Sequence, residues 1–121
     1  MSDSRIEILR TMVEACLDEK AFDISILEVK DLTILADYFI IASGRSHLHV
    51  RSIAENVIKE LEEFEIKPLR REGFQQGAWV VLDYGFIILH VFREQEREYY
   101  NLESLWGNAK RLTAKEISII K

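Results

Sequence analysis

The chain has 121 residues, of which 48% are hydrophobic and 31% charged, which matches the size and composition of one globular domain. Sixteen basic side chains oppose 21 acidic ones, and the net charge of −5 disfavours non-specific binding to a phosphate backbone. The single cysteine, Cys16, excludes an intrachain disulfide and a cysteine-based zinc site. Apolar runs are too short for a membrane span, and the polar start of the sequence is unlike a signal peptide. We therefore expect a cytoplasmic protein.

Basic charge is concentrated near the C-terminus. Residues 107–121 carry a local charge of +3, from the side chains of Lys110, Arg111, Lys115, Lys121 and Glu116. This change in composition at Gly107 predicts a single domain over residues 1–106 and a basic tail over residues 107–121. We expect the tail to be loosely ordered, as chain termini often are.

The first predicted elements are a helix and two strands. A helical face of apolar residues predicts an amphipathic helix over 5–20, with Cys16 inside the apolar stripe as a small buried hydrophobe. A β-branched, partly alternating segment predicts a strand over 24–29. Residues 38–43 form a short, continuously apolar run, which is typical of a central strand covered on both faces.

A second helix and a hairpin follow. The apolar stripe that begins at Val50 predicts a helix that ends before Lys67-Pro68. Strands over 78–83 and 86–92 are predicted to form a hairpin, with Tyr84-Gly85 as its two-residue loop. That loop places Trp79 opposite His90 on a largely apolar face, which needs a cover from this chain or another.

The last predicted elements are a charged helix over 94–100 and an apolar segment over 101–106. The order helix, strand, strand, helix, hairpin, helix predicts an α/β or α+β fold with a mixed sheet flanked by helices.

Few residues form a recognisable catalytic pattern. The turn Ser43-Gly44-Arg45-Ser46 could hold a phosphate at a helix N-terminus, but it lacks glycine-rich spacing, and a plain serine cap is the favoured interpretation. His47 and His49 point apart on a helix, which is poor metal geometry. His90 is expected to be stacked or hydrogen-bonded in its strand. The residues alone therefore favour a binding protein over an enzyme.

Aromatic side chains are the more informative feature. Trp79, Tyr99, Tyr100 and Trp106 come late in the chain and are interleaved with charged residues. Such residues pack in cores, and they also anchor interfaces within a ring of polar groups. A tryptophan beside acidic side chains would suit a partner with a basic surface.

Two sequence blocks are similar to a known family. The first comprises the segment from Ala36 to Gly44 and the segment from His49 to Ala54. The second comprises Trp79 to Gly85, His90-Val91-Phe92, Arg97-Glu98-Tyr99-Tyr100, and Leu102 to Trp106. Together they resemble the ribosomal silencing factor family (RsfS, also called Iojap-like). The resemblance implies an α/β sandwich similar to nucleotidyltransferases, without the paired aspartates of those enzymes.

The resemblance also implies a function without catalysis and without a cofactor. Family members bind the large ribosomal subunit through ribosomal protein number fourteen, block the docking of the small subunit and repress translation when nutrients are scarce. A role in large-subunit assembly is the alternative function. An enzyme that binds a nucleotide at residues 43–46 is a less favoured alternative. Relatives can also form homodimers. The second block places the partner-binding residues, with Trp79 as central anchor, at Trp79, Asp83, His90, Arg97, Glu98, Tyr99, Glu103 and Trp106.

One residue departs from the family pattern. Phe86 follows Tyr84-Gly85 where the family usually has an aspartate, so an apolar side chain lies at the hairpin tip beside Asp83. We expect either that the tail or a second subunit covers the tip, or that the partner contact differs there.

Overall fold

The computed structural model describes residues 4–113 and 116–117. In chain order their elements are α1 (Ser4–Asp18), β1 (Phe22–Glu28), β2 (Tyr38–Gly44), α2 (His47–Glu62), β3 (Arg70–Glu72), β4 (Trp79–Asp83), β5 (Ile87–Arg93), α3 (Glu94–Tyr100), α4 (Leu102–Leu105) and β6 (Lys110–Leu112). Among these residues, none of the helices is long and apolar enough to cross a membrane.

The strands form one mixed sheet in the order β3-β4-β5-β2-β1-β6. β2 and β5 pair in parallel, and the other neighbours pair antiparallel. β2 is central, and Phe39–Ser43 are all buried, as its continuous apolar run predicted. The expected mixed sheet flanked by helices is confirmed.

The two faces of the sheet are covered to different extents. α1 and α2 pack on one face, and the main core between them and the sheet includes Leu9, Val57 and Leu89. Cys16 is fully buried there, and burial raises the pKa of its thiol to about 12. The opposite face carries a smaller cluster around Phe39 and Phe92, against which α4 packs. We call this second face the open face.

The hairpin register differs from the expected one. Asp83 is opposite Ile88 and Trp79 is opposite Phe92, so the pairing is shifted by two residues. The two central turn residues are Gly85 and Phe86, because Gly85, at φ 89°, takes the first central position, where type II′ turns place glycine. Side chains alternate with a period of two, so the strand residues keep their predicted faces. Phe86 was predicted on the face of Trp79, but as a turn residue it packs against the main core instead.

Two short edge strands were not predicted from the sequence. β3 and β6 have three residues each and are mostly charged, so they show no apolar alternation; charge is typical of exposed sheet edges. β6 lies beyond the expected boundary at Gly107, yet Ile26–Glu28 pair with it. Ile117 is also buried in the main core. These parts of the expected tail therefore belong to the folded unit, while residues 114–115 and 118–121 lie outside the described residues.

Candidate functional site

A row of aromatic rings crosses the open face. Neighbouring ring centroids are 5.0 to 5.9 Å apart along the series Trp106, Phe39, His90, Trp79, Tyr100 and Tyr99. Three central strands supply the middle of the row, and α3 with the end of α4 supplies its two ends. Four predicted site residues, Trp79, His90, Tyr99 and Trp106, are therefore brought together in one continuous series of rings, which we call the aromatic row. Its members range from the buried Phe39 and His90 to the exposed Tyr99 and Tyr100.

His90 fixes the central tryptophan of the row. The Trp79 Nε1 hydrogen donates to His90 Nδ1 at 3.1 Å, and the His90 ring meets Phe39 edge-on. His90 is only 9% exposed, and burial lowers the pKa of its imidazole from 6.5 to about 4. The ring is therefore neutral near pH 7, with Nδ1 free of a proton and able to accept. The expectation of a stacked or hydrogen-bonded histidine is confirmed.

A groove of about 340 Å³ lies beside the aromatic row. Its walls are mainly apolar, and its charged rim is formed by Arg70, Glu72 and Asp83; the other lining residues are Leu35, Phe39, Val81, Ile88, His90, Leu102, Leu105 and Trp106. Leu35 and Leu105 are 65% and 73% exposed, although both are large apolar side chains. The groove can accept an apolar side chain of a partner, with its charged rim in contact with water.

Asp83 has local partners at the hairpin tip. Its Oδ1 accepts the Gly85 amide at 2.8 Å, and its Oδ2 lies 3.6 Å from the Arg70 guanidinium. Phe86 is covered from within the chain, because the Arg5 guanidinium of α1 lies 5.2 Å from its ring centroid. The expected cover from the tail or a second subunit is therefore replaced by α1.

Arg97 and Glu103 lie beside the aromatic row and pair with each other. The Arg97 Nε and Nη2 groups donate to the two carboxylate oxygens of Glu103 at 3.1 and 2.9 Å. Both side chains are mostly buried, at 13% and 17% exposure. Hydrogen bonds from Arg97, and next from Ser25, hold the pKa of the Glu103 carboxyl below its usual range.

Glu98 and Tyr99 are the exposed members of the predicted site. Tyr99 is 81% exposed and meets Tyr100 edge-on, while Glu98 is exposed on the same helix. No residue of α3 is buried. This helix therefore presents an aromatic ring and carboxylates to solvent at one end of the aromatic row.

The turn at residues 43–46 has the geometry of a helix cap. The Ser46 hydroxyl accepts the His49 amide at 3.0 Å, and the Arg45 amide donates to His49 Nδ1 at 2.9 Å. Two backbone donors that a phosphate would need are thus used locally, and the plain serine cap is confirmed. In the described part of the chain, no group of three or more histidine, cysteine or acidic side chains could hold a metal ion.

Comparisons with known proteins show which family the chain belongs to. A family model described as "Ribosomal silencing factor during starvation" matches residues 2–121. The chain belongs to the ribosomal silencing factor family. The resemblance inferred from the two sequence blocks is therefore confirmed, and the match extends beyond Trp106 through the C-terminal residues.

Individual relatives support the same assignment. A protein of Bacillus subtilis named ribosomal silencing factor is 41% identical over 102 residues, which cover 84% of this chain and 86% of the relative. The factor of Halalkalibacterium halodurans is 42% identical over 106 residues, covering 88% and 91%. A crystal structure from Chromobacterium violaceum superposes with a TM-score of 0.81 at 37% identity, over 84% of each chain.

Several residues of the site were not singled out from the sequence. Phe39 links Trp106 to His90, Phe92 stacks on Trp79 at 4.8 Å, and Leu105 forms part of the groove wall. Phe39 and Phe92 belong to apolar strand runs, where nothing local distinguishes a ring on the open face from one in the main core. Only the sheet order, which brings β2 beside β5, reveals the complete row.

Proposed function

We propose that this family member binds the large ribosomal subunit through ribosomal protein number fourteen. It thereby occupies the surface on which the small subunit docks, and it represses translation under nutrient limitation. The relatives' name, ribosomal silencing factor, supports this function, and the proposed target places the protein in the cytoplasm. No catalytic step and no cofactor enter the proposal.

The observation that carries the proposal is the aromatic row, of which Trp79 and Trp106 are partly exposed and Tyr99 and Tyr100 exposed, together with its adjoining groove. Tryptophan and tyrosine dominate the energetics of many protein interfaces, most of all where water is excluded around them. Trp79 lies at the middle of the row, held by His90 and stacked on Phe92. A partner that covered this face would bury both the row and the exposed Leu105, which favours a protein surface as ligand.

Charge supports a basic partner. The chain carries 21 acidic against 16 basic side chains, and Glu72 and Asp83 lie on the groove rim. Glu94 and Glu98 add exposed carboxylates on α3. Complementary charge mainly accelerates and orients the encounter, while the apolar contacts supply most of the affinity. We therefore expect binding to weaken moderately as salt concentration rises.

Co-sedimentation with purified large subunits tests the docking face. Trp79→Ala is expected to weaken binding by ~2 kcal/mol or more, since it removes the central anchor. Phe64→Ala is the matched control, because Phe64 is a 52% exposed aromatic residue that follows α2 in the helical layer. Normal binding by a folded Trp79→Ala protein would show that the open face is the wrong surface. A second copy of the chain that competes for this face would appear as a dimer in analytical ultracentrifugation of the protein alone.

A further inference from the structure

We infer that Arg97 and Glu103 are positioning residues, which hold α3 and α4 against the sheet so that Tyr100 and Trp106 complete the aromatic row. The inference rests on the proposed function, because it concerns how the proposed docking face keeps its shape. It also assigns a role that differs from direct contact with the partner.

The hydrogen bonds of Arg97 provide the first argument. A guanidinium has five N–H donors. Nε and one Nη2 hydrogen bind Glu103, and the other Nη2 hydrogen donates to Ser25 Oγ at 3.1 Å. Nη1 donates to Ser43 Oγ at 2.8 Å and to the backbone oxygen of Asp23. All five donors are therefore used inside the chain, so a docked partner would have to displace one of these bonds.

The bonds of Glu103 provide the second argument. Besides the two bonds from Arg97, its Oε2 accepts the Ser25 hydroxyl at 2.6 Å. Arg111 of β6 adds a longer ion contact at 3.9 Å. A carboxylate bound on both oxygens and mostly buried is costly to separate from its partners. Both carboxylate oxygens of Glu103 are therefore held by hydrogen bonds from within the chain.

The hydrogen bonds of Arg97 and Glu103 connect two weakly structured regions, namely the short helices α3 and α4 and the start of β1. α3 and α4 have seven and four residues and no buried side chain, so neither helix is stable on its own. On the sheet side, the β1–β2 register shifts between Phe22 and Ser25, and Asp23 has a φ of 50°. This β-bulge is where the Asp23 carbonyl accepts a bond from Arg97. One ion pair thus ties both helices to β1 and β2.

The positions of the aromatic residues link this network to the docking face. Tyr100 follows Arg97 by three residues and packs on Trp79 at 5.0 Å between centroids. Trp106 follows Glu103 by three residues and packs on Phe39 at 5.1 Å. Release of the ion pair would therefore move both ends of the aromatic row, while the strand residues in its middle stay in place.

Trp106 fluorescence provides a readout that separates positioning from contact. In a Trp79→Phe background Trp106 is the single tryptophan, since the chain has two. Arg97→Met keeps the apolar stem and removes the donors. Arg93→Met is the matched control, because Arg93, the last residue of β5, pairs with Glu96 of α3 at 2.7 Å and makes no bond to α4. Acrylamide quenching and the emission maximum are measured for each, and subunit affinity is measured at several salt concentrations with Trp79 intact.

The inference predicts that Arg97→Met red-shifts Trp106 emission, increases its quenching and weakens subunit binding at least ~10-fold. The slope of affinity against salt should stay that of the wild type, and Arg93→Met should leave Trp106 unchanged. If Arg97→Met fails to fold, Glu103→Gln and Arg97→Lys, which keep the size of each side chain, should give the same direction of change with smaller effect.

Two results would overturn the inference. Weaker binding with unchanged Trp106 quenching and a shallower salt slope would make Arg97 a direct contact. Unchanged binding despite a moved Trp106 would show that the ends of the row do not matter for docking. If the wild type itself does not bind large subunits, the proposed function fails, while the fluorescence of the same variants still decides whether Arg97 positions Trp106.

Discussion

The Trp79 indole and the His90 imidazole join β4 to β5 through a side-chain hydrogen bond of 3.1 Å on the open face. The two residues are diagonal neighbours, because Trp79 lies opposite Phe92 and His90 lies opposite Val81. Since Nδ1 accepts this bond, a proton on that nitrogen would break it. The orientation of the proposed anchor therefore depends on a neutral histidine.

Stability should accordingly depend on pH in a defined window. Burial lowers the His90 pKa from 6.5 to about 4, so the unfolded chain binds this proton first as pH falls. The free energy of unfolding should therefore fall as the pH is lowered from 6.5 to about 4, and protonation of His90 should account for on the order of 3 kcal/mol of this loss at most. Urea unfolding of the wild type and of His90→Asn, which can accept the indole bond without titrating, measures the difference. Equal losses in the two proteins would contradict this assignment.

Gly73 is predicted to be intolerant of a side chain. Its φ is 86°, and an added Cβ would lie 2.0 Å from the Trp79 carbonyl oxygen. Gly73→Ala should therefore destabilise the fold by more than about 1 kcal/mol and shift Trp79. Gly107→Ala is the control, because its Cβ would lie 3.6 Å from the Ser104 carbonyl oxygen. The melting temperatures of the two variants are compared by thermal unfolding. Equal values would show that the segment between β3 and β4 accommodates a side chain at position 73 without cost.

The groove predicts a specific effect of Leu105. Burying this leucine against a partner is worth ~1.5 kcal/mol, so Leu105→Gln should weaken large-subunit binding about tenfold. Leu48→Gln should bind normally, since Leu48 is similarly exposed, at 69% against 73%, but lies in the first turn of α2. Affinities from co-sedimentation titrations test the pair. Equal binding by both variants would remove the groove from the docking surface.

Cys16 should be inert to thiol reagents in the folded protein. It is fully buried, and burial raises the pKa of its thiol to about 12, so almost no thiolate is present near neutral pH. Reaction with a chromogenic disulfide should be slow in buffer and fast in denaturant. Rapid labelling in buffer would mean that α1 separates from the sheet far more often than its packing suggests.

The sequence specified most of the fold because its long elements have strong periodicity. The apolar stripe from Val50 to Leu61 predicted a helix, and the apolar run of β2 predicted a buried strand; both predictions are confirmed. The hairpin register depends on whether Gly85 is the first or the second central residue of the turn, and the residue types alone do not distinguish these two positions. β3 and β6 are defined by their pairing with distant strands rather than by an apolar pattern, so they were not found.

The candidate site was predictable as a set of residues but not as a set of roles. The resemblance brought Trp79, Arg97 and Glu103 together as partner-binding residues. Whether a charged side chain faces a partner or another side chain depends on distances between elements, such as that from α3 to the β1 bulge. Only the structure shows that the five donors of Arg97 are used within the chain.

Subunit joining is the measurement that tests the central claim most directly. Purified large subunits are saturated with the protein, small subunits are added, and joined ribosomes are quantified on a sucrose gradient. The account predicts bound protein on the large subunit and a loss of joined ribosomes, with joining restored when Trp79→Ala replaces the wild type. Stable binding with undiminished joining would contradict occlusion and would favour a role in large-subunit assembly.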